Sequence, residues 1–249
     1  MLRFSVANVA LTMATLTGVA HAAEPMTIVQ GTMRPFVNGL DGVGVGLITD
    51  LSVEHYFRQP WRFSASLAPA TFAAGRAGTG GIAHGRIGGA YATEYLALGL
   101  AVGGRWAQIG QARPSLAGTL RLGSLDGLRF DLLYGYTFMR NDTTGSPTLA
   151  MSHTLGKLAI PVMKRVQVFA EGGFSFEHWL FTSIGVRHTI AVQPGDSERP
   201  KWIVQAGFGL AWLSDRFPCR YGAEAVPCSE TGVWAAGPTL VFGLERRFF

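Results

Sequence analysis

A histidine beside a hydroxyl is the arrangement through which this sequence could perform nucleophilic chemistry, and its six histidines can be tested one at a time. In Ser152-His153-Thr154 the histidine alternates away from its neighbours. His188 shares a face with Val186 and Ile190, whereas His55 and His178 fall near the ends of periodic stretches. The arrangement that survives is His84 opposite Ser64 or Ser66 of the preceding stretch, which would make a hydrolase. No group of His, Cys, Asp and Glu has metal-ligand spacing, and no cofactor is implied. Gly42-x-Gly44-x-Gly46 is not a nucleotide loop, because strand alternation runs straight through it. Cys219 and Cys228 lie in a segment dense in Pro, Gly and charge; in an oxidising compartment they would close a ten-residue disulfide loop.

The other chemistry-bearing side chains are charges, and their parity matters more than their number. Arg62, Arg121, Arg129, Asp131, Glu171, Arg187, Glu245 and Arg247 fall on the small, polar face of alternating stretches, as do Asp50, Glu54, Glu177 and Lys201. His84 and Arg86 share one face of a less regular stretch. Interleaved charges on one wall have two readings. They can form a constriction that selects small ions or solutes, or a salt-bridge network that stiffens a narrow lumen. Basic residues are spread along the chain rather than clustered, which argues against nucleic acid as a partner.

The elements that must position these groups read as strands. Val45, Leu47, Leu51 and Val53 alternate with Gly44, Gly46, Ser52 and Glu54; Leu128, Phe130, Leu132 and Tyr134 alternate with Arg129, Asp131 and Gly135. The same period recurs over 61–68, 96–102, 116–122, 166–177, 180–192, 201–212 and 234–248, and less regularly over 82–92 and 148–161. The chain is 48% hydrophobic and only 15% charged, yet past the N-terminus no uncharged apolar run is long enough for a membrane helix. Apolar content spread in period two, opposite a face of Gly, Ala, Ser and Thr with single charges, is what a membrane barrel requires. A soluble sandwich is the alternative. Closure with even parity needs a twelfth strand, for which residues 26–36 are the candidate despite Pro35; ten strands is the alternative count.

Connections near 58–60, 92–94, 124–127 and 163–165 are short, and 193–200 is longer; those at 73–81, 106–115, 140–147 and 214–233 are long or irregular. Trp61, Trp106, Trp179, Trp202, Trp212 and Trp234 sit near strand ends, where aromatic girdles mark the two interfaces; a sugar-binding platform is the alternative. At the start, Met1-Leu2-Arg3, an apolar run over Phe4–Val19, and Ala20-His21-Ala22 have the three parts of a signal peptide. Residues 1–22 would be removed, leaving 23–249 as one barrel domain.

The last ten residues, Leu240-Val241-Phe242-Gly243-Leu244-Glu245-Arg246-Arg247-Phe248-Phe249, resemble the C-terminal strand by which bacterial outer-membrane proteins are recognised for insertion. Gly243, Leu244 and Phe248 carry the match; Phe249 beyond the terminal aromatic and Arg246 at a usually apolar position depart from it. The resemblance implies an all-β fold, a closed antiparallel up-and-down transmembrane β-barrel. It also implies the outer membrane as location, with its lipid and insertion machinery as partners. Three functions fit: a narrow pore for small solutes or ions, a structural or surface-interaction barrel working through external loops, and a lipid-active enzyme built on His84.

Overall fold

The computed structural model describes residues 25–38, 44–58, 60–74, 78–107, 112–140, 147–175, 179–190, 202–214 and 234–248. These form twelve strands: β1 (Met26–Asn38), β2 (Gly44–Tyr56), β3 (Trp61–Ala74), β4 (Gly78–Ala92), β5 (Leu96–Ala107), β6 (Arg113–Gly123), β7 (Arg129–Arg140), β8 (Pro147–Met163), β9 (Val166–Ser175), β10 (Trp179–Ile190), β11 (Trp202–Ser214) and β12 (Trp234–Phe248). Every strand pairs antiparallel with its sequence neighbours, and β1 pairs with β12, so the sheet closes with no free edge. Closure satisfies the backbone internally, which a bilayer demands of any spanning structure.

Alternation decides what faces where. Val45, Leu51, Val53, Phe63, Leu67, Ile87, Leu98, Leu100, Val102, Phe208, Leu240 and Phe242 are exposed on the outer wall. Arginines, glutamates and small residues fill the interior. Burying the charges and exposing the hydrophobics suits lipid, not water, and removes the soluble-sandwich reading. On the outer wall Trp61 and Trp202 lie at the end that carries the termini, and Trp106 and Trp212 at the opposite end. Arg246, the charge that departs from the insertion pattern, lays its guanidinium 4.6 Å from the ring centres of both Trp202 and Phe248. That contact lets a cation sit at the interface with its stem in the apolar band.

The end holding both termini carries the tight turns 57–60, 93–95, 124–128 and 164–165 and the connection 191–201; it is called the turn end below. The connections 39–43, 75–77, 108–112, 141–146, 176–178 and 215–233 lie at the loop end. The expected long connection at 73–81 is only three residues, because β3 and β4 extend to Ala74 and from Gly78. In the turn after β6, Gly123 has φ of 88°, a left-handed conformation that favours glycine, and a Cβ there would meet Leu128 O at 1.9 Å.

Irregular alternation has local causes. In β1 the β12 ladder skips Arg34 and Pro35, and Thr239 Oγ1 donates to the Pro35 carbonyl at 2.8 Å instead. In β8 the register passes from Gly135↔His153 to Tyr136↔Met151, leaving Ser152 as a bulge. Below that bulge His153, Lys157 and Ala159 are buried against the lumen. Residues 1–22 and the pair Cys219–Cys228 lie outside the described residues, as do Glu177 and Lys201.

Candidate functional site

The barrel interior is organised in layers. At the turn end, Arg187 Nη2 meets Glu245 Oε2 at 2.6 Å, and Arg247 Nε meets Glu245 Oε1 at 2.8 Å. Arg247 Nη1 also reaches Asp126 Oδ1 at 2.6 Å. Asp126 belongs to the turn between β6 and β7, on the far side of the ring from β12, so this turn folds across the mouth. Gln167 of β9 donates to the Asp126 and Gly127 carbonyls at 3.0 and 3.2 Å and accepts from Arg187 Nη1 at 2.9 Å. The sequence marks 124–127 as a short connection; its role as a strap needed the closed ring.

One layer up, Arg121 is the hub. Its Nε meets Asp131 Oδ1 at 2.5 Å and its Nη1 meets Glu54 Oε2 at 3.2 Å and the Tyr56 hydroxyl. Glu54 also accepts from Arg62 Nη1 at 3.2 Å, and Arg129 Nε lies 2.8 Å from Asp131 Oδ2. Arg121 and Glu54 stand on strands four places apart, so the pair braces the lumen from within. A further brace joins β1 to β9: Arg34 meets Glu171 Oε1 at 2.8 Å and also bonds Asp50. Glu171 accepts from Ser183 at 3.0 Å and lies 3.6 Å from Lys157 Nζ, which donates to Gln205 Oε1 at 2.6 Å. Charges buried in this way need such partners, because an ion stripped of water is otherwise costly.

The loop-end layer is apolar. Phe36, Ile48, Ala70, Ile82, Trp179, Phe181 and Ala211 form one buried cluster inside the lumen. Trp179 is only 3% exposed and stacks on Phe181 at 5.6 Å between ring centres. It is therefore not a girdle residue. Trp179 shares the inward parity of Phe181 and Ser183, which a position at a strand end concealed. Arg34 lies 4.4 Å over the Phe181 ring and joins this layer to the charged one. Between them a cavity of about 190 Å³ is lined by Arg34, Asp50, Glu54, Arg86, His153 and Glu171, among others.

The structure places Arg62, Arg86, Arg121, Arg129, Asp131, Glu171, Arg187, Glu245 and Arg247 in this interior. Arg34, Lys157, His153 and Arg105 join them and were missed. Pro35 hid the period of β1, the Ser152 bulge reversed the parity of β8, and β5 runs past 102 to Ala107. The hydrolase arrangement is not assembled. His84 pairs in register with Ala68, Ser66 faces Arg86, and the His84 ring stacks on His153 at 5.0 Å. At the end of the chain, Leu244 and Phe248 face outward and Gly243 inward on the strand that closes the barrel.

A closed twelve-strand antiparallel barrel with an apolar outer wall and a charged interior defines the class: an outer-membrane-type β-barrel protein. No known protein family matches the sequence. No curated protein matches it either. Among solved structures the fold is similar to the NanC porin, at 11% identity over 88% of this chain and 98% of that one, with a TM-score of 0.50. It is also similar to the CymD monoaromatic hydrocarbon channel, at 10% identity over 99% and 94%, TM-score 0.44. The Ralstonia pickettii toluene transporter TbuX aligns at 8% identity over 90% and 89%, TM-score 0.42. At these identities the likeness is one of fold.

Proposed function

We propose that the protein is an outer-membrane channel for small solutes. One observation carries the reading: inside a closed barrel, polar and charged side chains of both signs surround a cavity large enough for several waters. The barrel shared with the NanC porin fits it. The pore is narrow. The cross-lumen pairs of Arg121 and Arg34 divide its section, and the layer of Phe36, Ile48, Ile82, Trp179 and Phe181 is an apolar constriction of the kind that gates by dewetting. The same layer and the Asp126 strap favour the second reading, a closed barrel that works through its external loops. A lipid hydrolase is disfavoured, because His84 faces His153 rather than a serine.

Several accompanying assignments belong to this proposal. Residues 1–22 act as a signal peptide cleaved near Ala22, and the β12 end, with Gly243, Leu244 and Phe248, engages the outer-membrane insertion machinery. Outer-membrane lipid covers the outer wall. The loop end faces outside the cell, which puts the segment containing Cys219 and Cys228 in an oxidising space where a disulfide forms. The test is conductance of the refolded mature protein in planar lipid bilayers. Discrete, reproducible current steps establish the channel. A protein whose gel band shifts on boiling, as a folded barrel's does, yet passes no current even as Trp179→Ala, is the closed barrel of the second reading.

A further inference from the structure

Among the described residues, Arg86 takes no part in the ion pairs of the interior. Four consecutive strands, β3 to β6, carry Arg62, Arg86, Arg105, Arg113 and Arg121 and contain no acidic residue. Arg62 and Arg121 are served by Glu54 from β2. Arg86 borders the central cavity at 5% exposure, and its Nε and Nη2 have no hydrogen-bond partner among the described residues. Those two nitrogens form one edge of the guanidinium, the edge that holds a carboxylate in a two-point grip.

The neighbouring polar atoms share the condition. Ser115 Oγ, Thr137 Oγ1 and His153 Nδ1 are buried without partners among the described residues. The register brings them together: Arg86, Gly103, Ser115 and Thr137 are successive cross-strand partners on β4 to β7. The adjacent row runs Gly88, Ala101, Ala117, Gly135 and His153. Its small residues leave room for the arginine to lie across the wall. A Cβ built on Gly135 would stand 3.0 Å from Arg86 Nη2. Asp50, a nearby acid that lines the same cavity, is bonded to Arg34.

An arginine, two hydroxyls and an imidazole, all buried and none supplied with an acceptor, specify an anion with several oxygen acceptors. We propose that Arg86 and His153, which line the cavity, form with Ser115 and Thr137 of the Arg86 cross-strand row a binding site for a small carboxylate solute in the lumen. A cavity of about 190 Å³ borders Arg86 and His153 and can admit a small solute. Entry of the carboxylate turns the end of the Arg86 side chain toward the cavity and supplies the missing acceptors. This inference rests on the channel reading for its purpose, but not for its test.

Acetate is the probe. The unfolding temperature of the refolded mature protein is followed by gel shift in acetate against chloride at constant ionic strength, beside conductance in the same salts. The expected result is a rise in unfolding temperature with acetate and an acetate-dependent block of chloride current. In Arg86→Gln the apparent acetate affinity falls by about tenfold or more, the effect of losing a charge-assisted hydrogen bond. Thr137→Val, which keeps the side-chain shape, weakens acetate by a smaller factor and serves if Arg86→Gln does not insert. An acetate effect that depends on Arg86 in a protein that passes no current keeps the site and sinks the channel. Current without any acetate effect, or an acetate effect unchanged in both variants, overturns the site and leaves the channel standing.

Discussion

The turn-end layers of the lumen and the middle of the β4 to β7 wall are built from the same residue types and end in opposite electrostatic states. At the turn end each of these cations meets an acid: Arg187 and Arg247 share Glu245, and Arg62 and Arg121 share Glu54. In the middle of that wall Arg86 lies among Gly103, Ala101, Ala117 and Gly135, with hydroxyls beside it and no acid on β4, β5 or β6. The difference separates two uses of buried charge. Paired charges brace the ring from within, and an arginine that makes no ion pair is equipped to meet an acid brought by a solute.

Variants on the two sides can break this contrast. The largest effect is expected for Glu171→Ala, which strands Arg34 and Lys157 in the interior. Removing one partner of a buried network costs ~3–5 kcal/mol, read as a fall in the urea midpoint of the folded band. Trp179→Ala should cost about 3–5 kcal/mol as a large buried aromatic, and by thinning the apolar layer it should also raise single-channel conductance. Unchanged conductance would move the constriction to the turn end. Gly123→Ala places a side chain in a left-handed turn against Leu128 O and should cost about 1–3 kcal/mol.

Arg86→Met sharpens the comparison most. Replacing a buried cation that makes no ion pair among the described residues should leave the urea midpoint unchanged or raise it, against the large fall in Glu171→Ala. A comparable fall in both would show that Arg86 braces the wall as Arg34 does. The smallest stability effect belongs to Asp126→Asn. Asp126 is largely exposed, so the midpoint should move by about 0–1 kcal/mol. Conductance should still rise as the strap over the mouth loosens.

Much of the barrel was legible before any coordinates. Glu245 and Arg247 opposite Leu244 and Phe248, or Arg129 and Asp131 opposite Phe130 and Leu132, state the two faces of a strand directly, because side-chain direction alternates with period two. What escaped follows from the same rule. A bulge at Ser152 reverses parity, so Lys157 and His153 were not assigned to the lumen; Pro35 interrupts a ladder, so Arg34 went unassigned. The aromatic side chains of Phe36, Phe169, Trp179 and Phe181 point inward although the inner face reads as small and polar. Parity gives the face of a residue but not whether the lumen has room that only a ring can fill.

The sequence by itself determined the all-β class, the two faces of most strands and the inward direction of most charges. All of these depend on neighbours along the chain. Only the tertiary structure decided which charges meet. Glu54 finds Arg121 four strands away, Asp126 reaches Arg247 across the mouth, and Arg86 makes no ion pair among the described residues. Pairing of that kind depends on the register and curvature of the closed ring, and distances across a lumen have no counterpart in the spacing of residues along a strand.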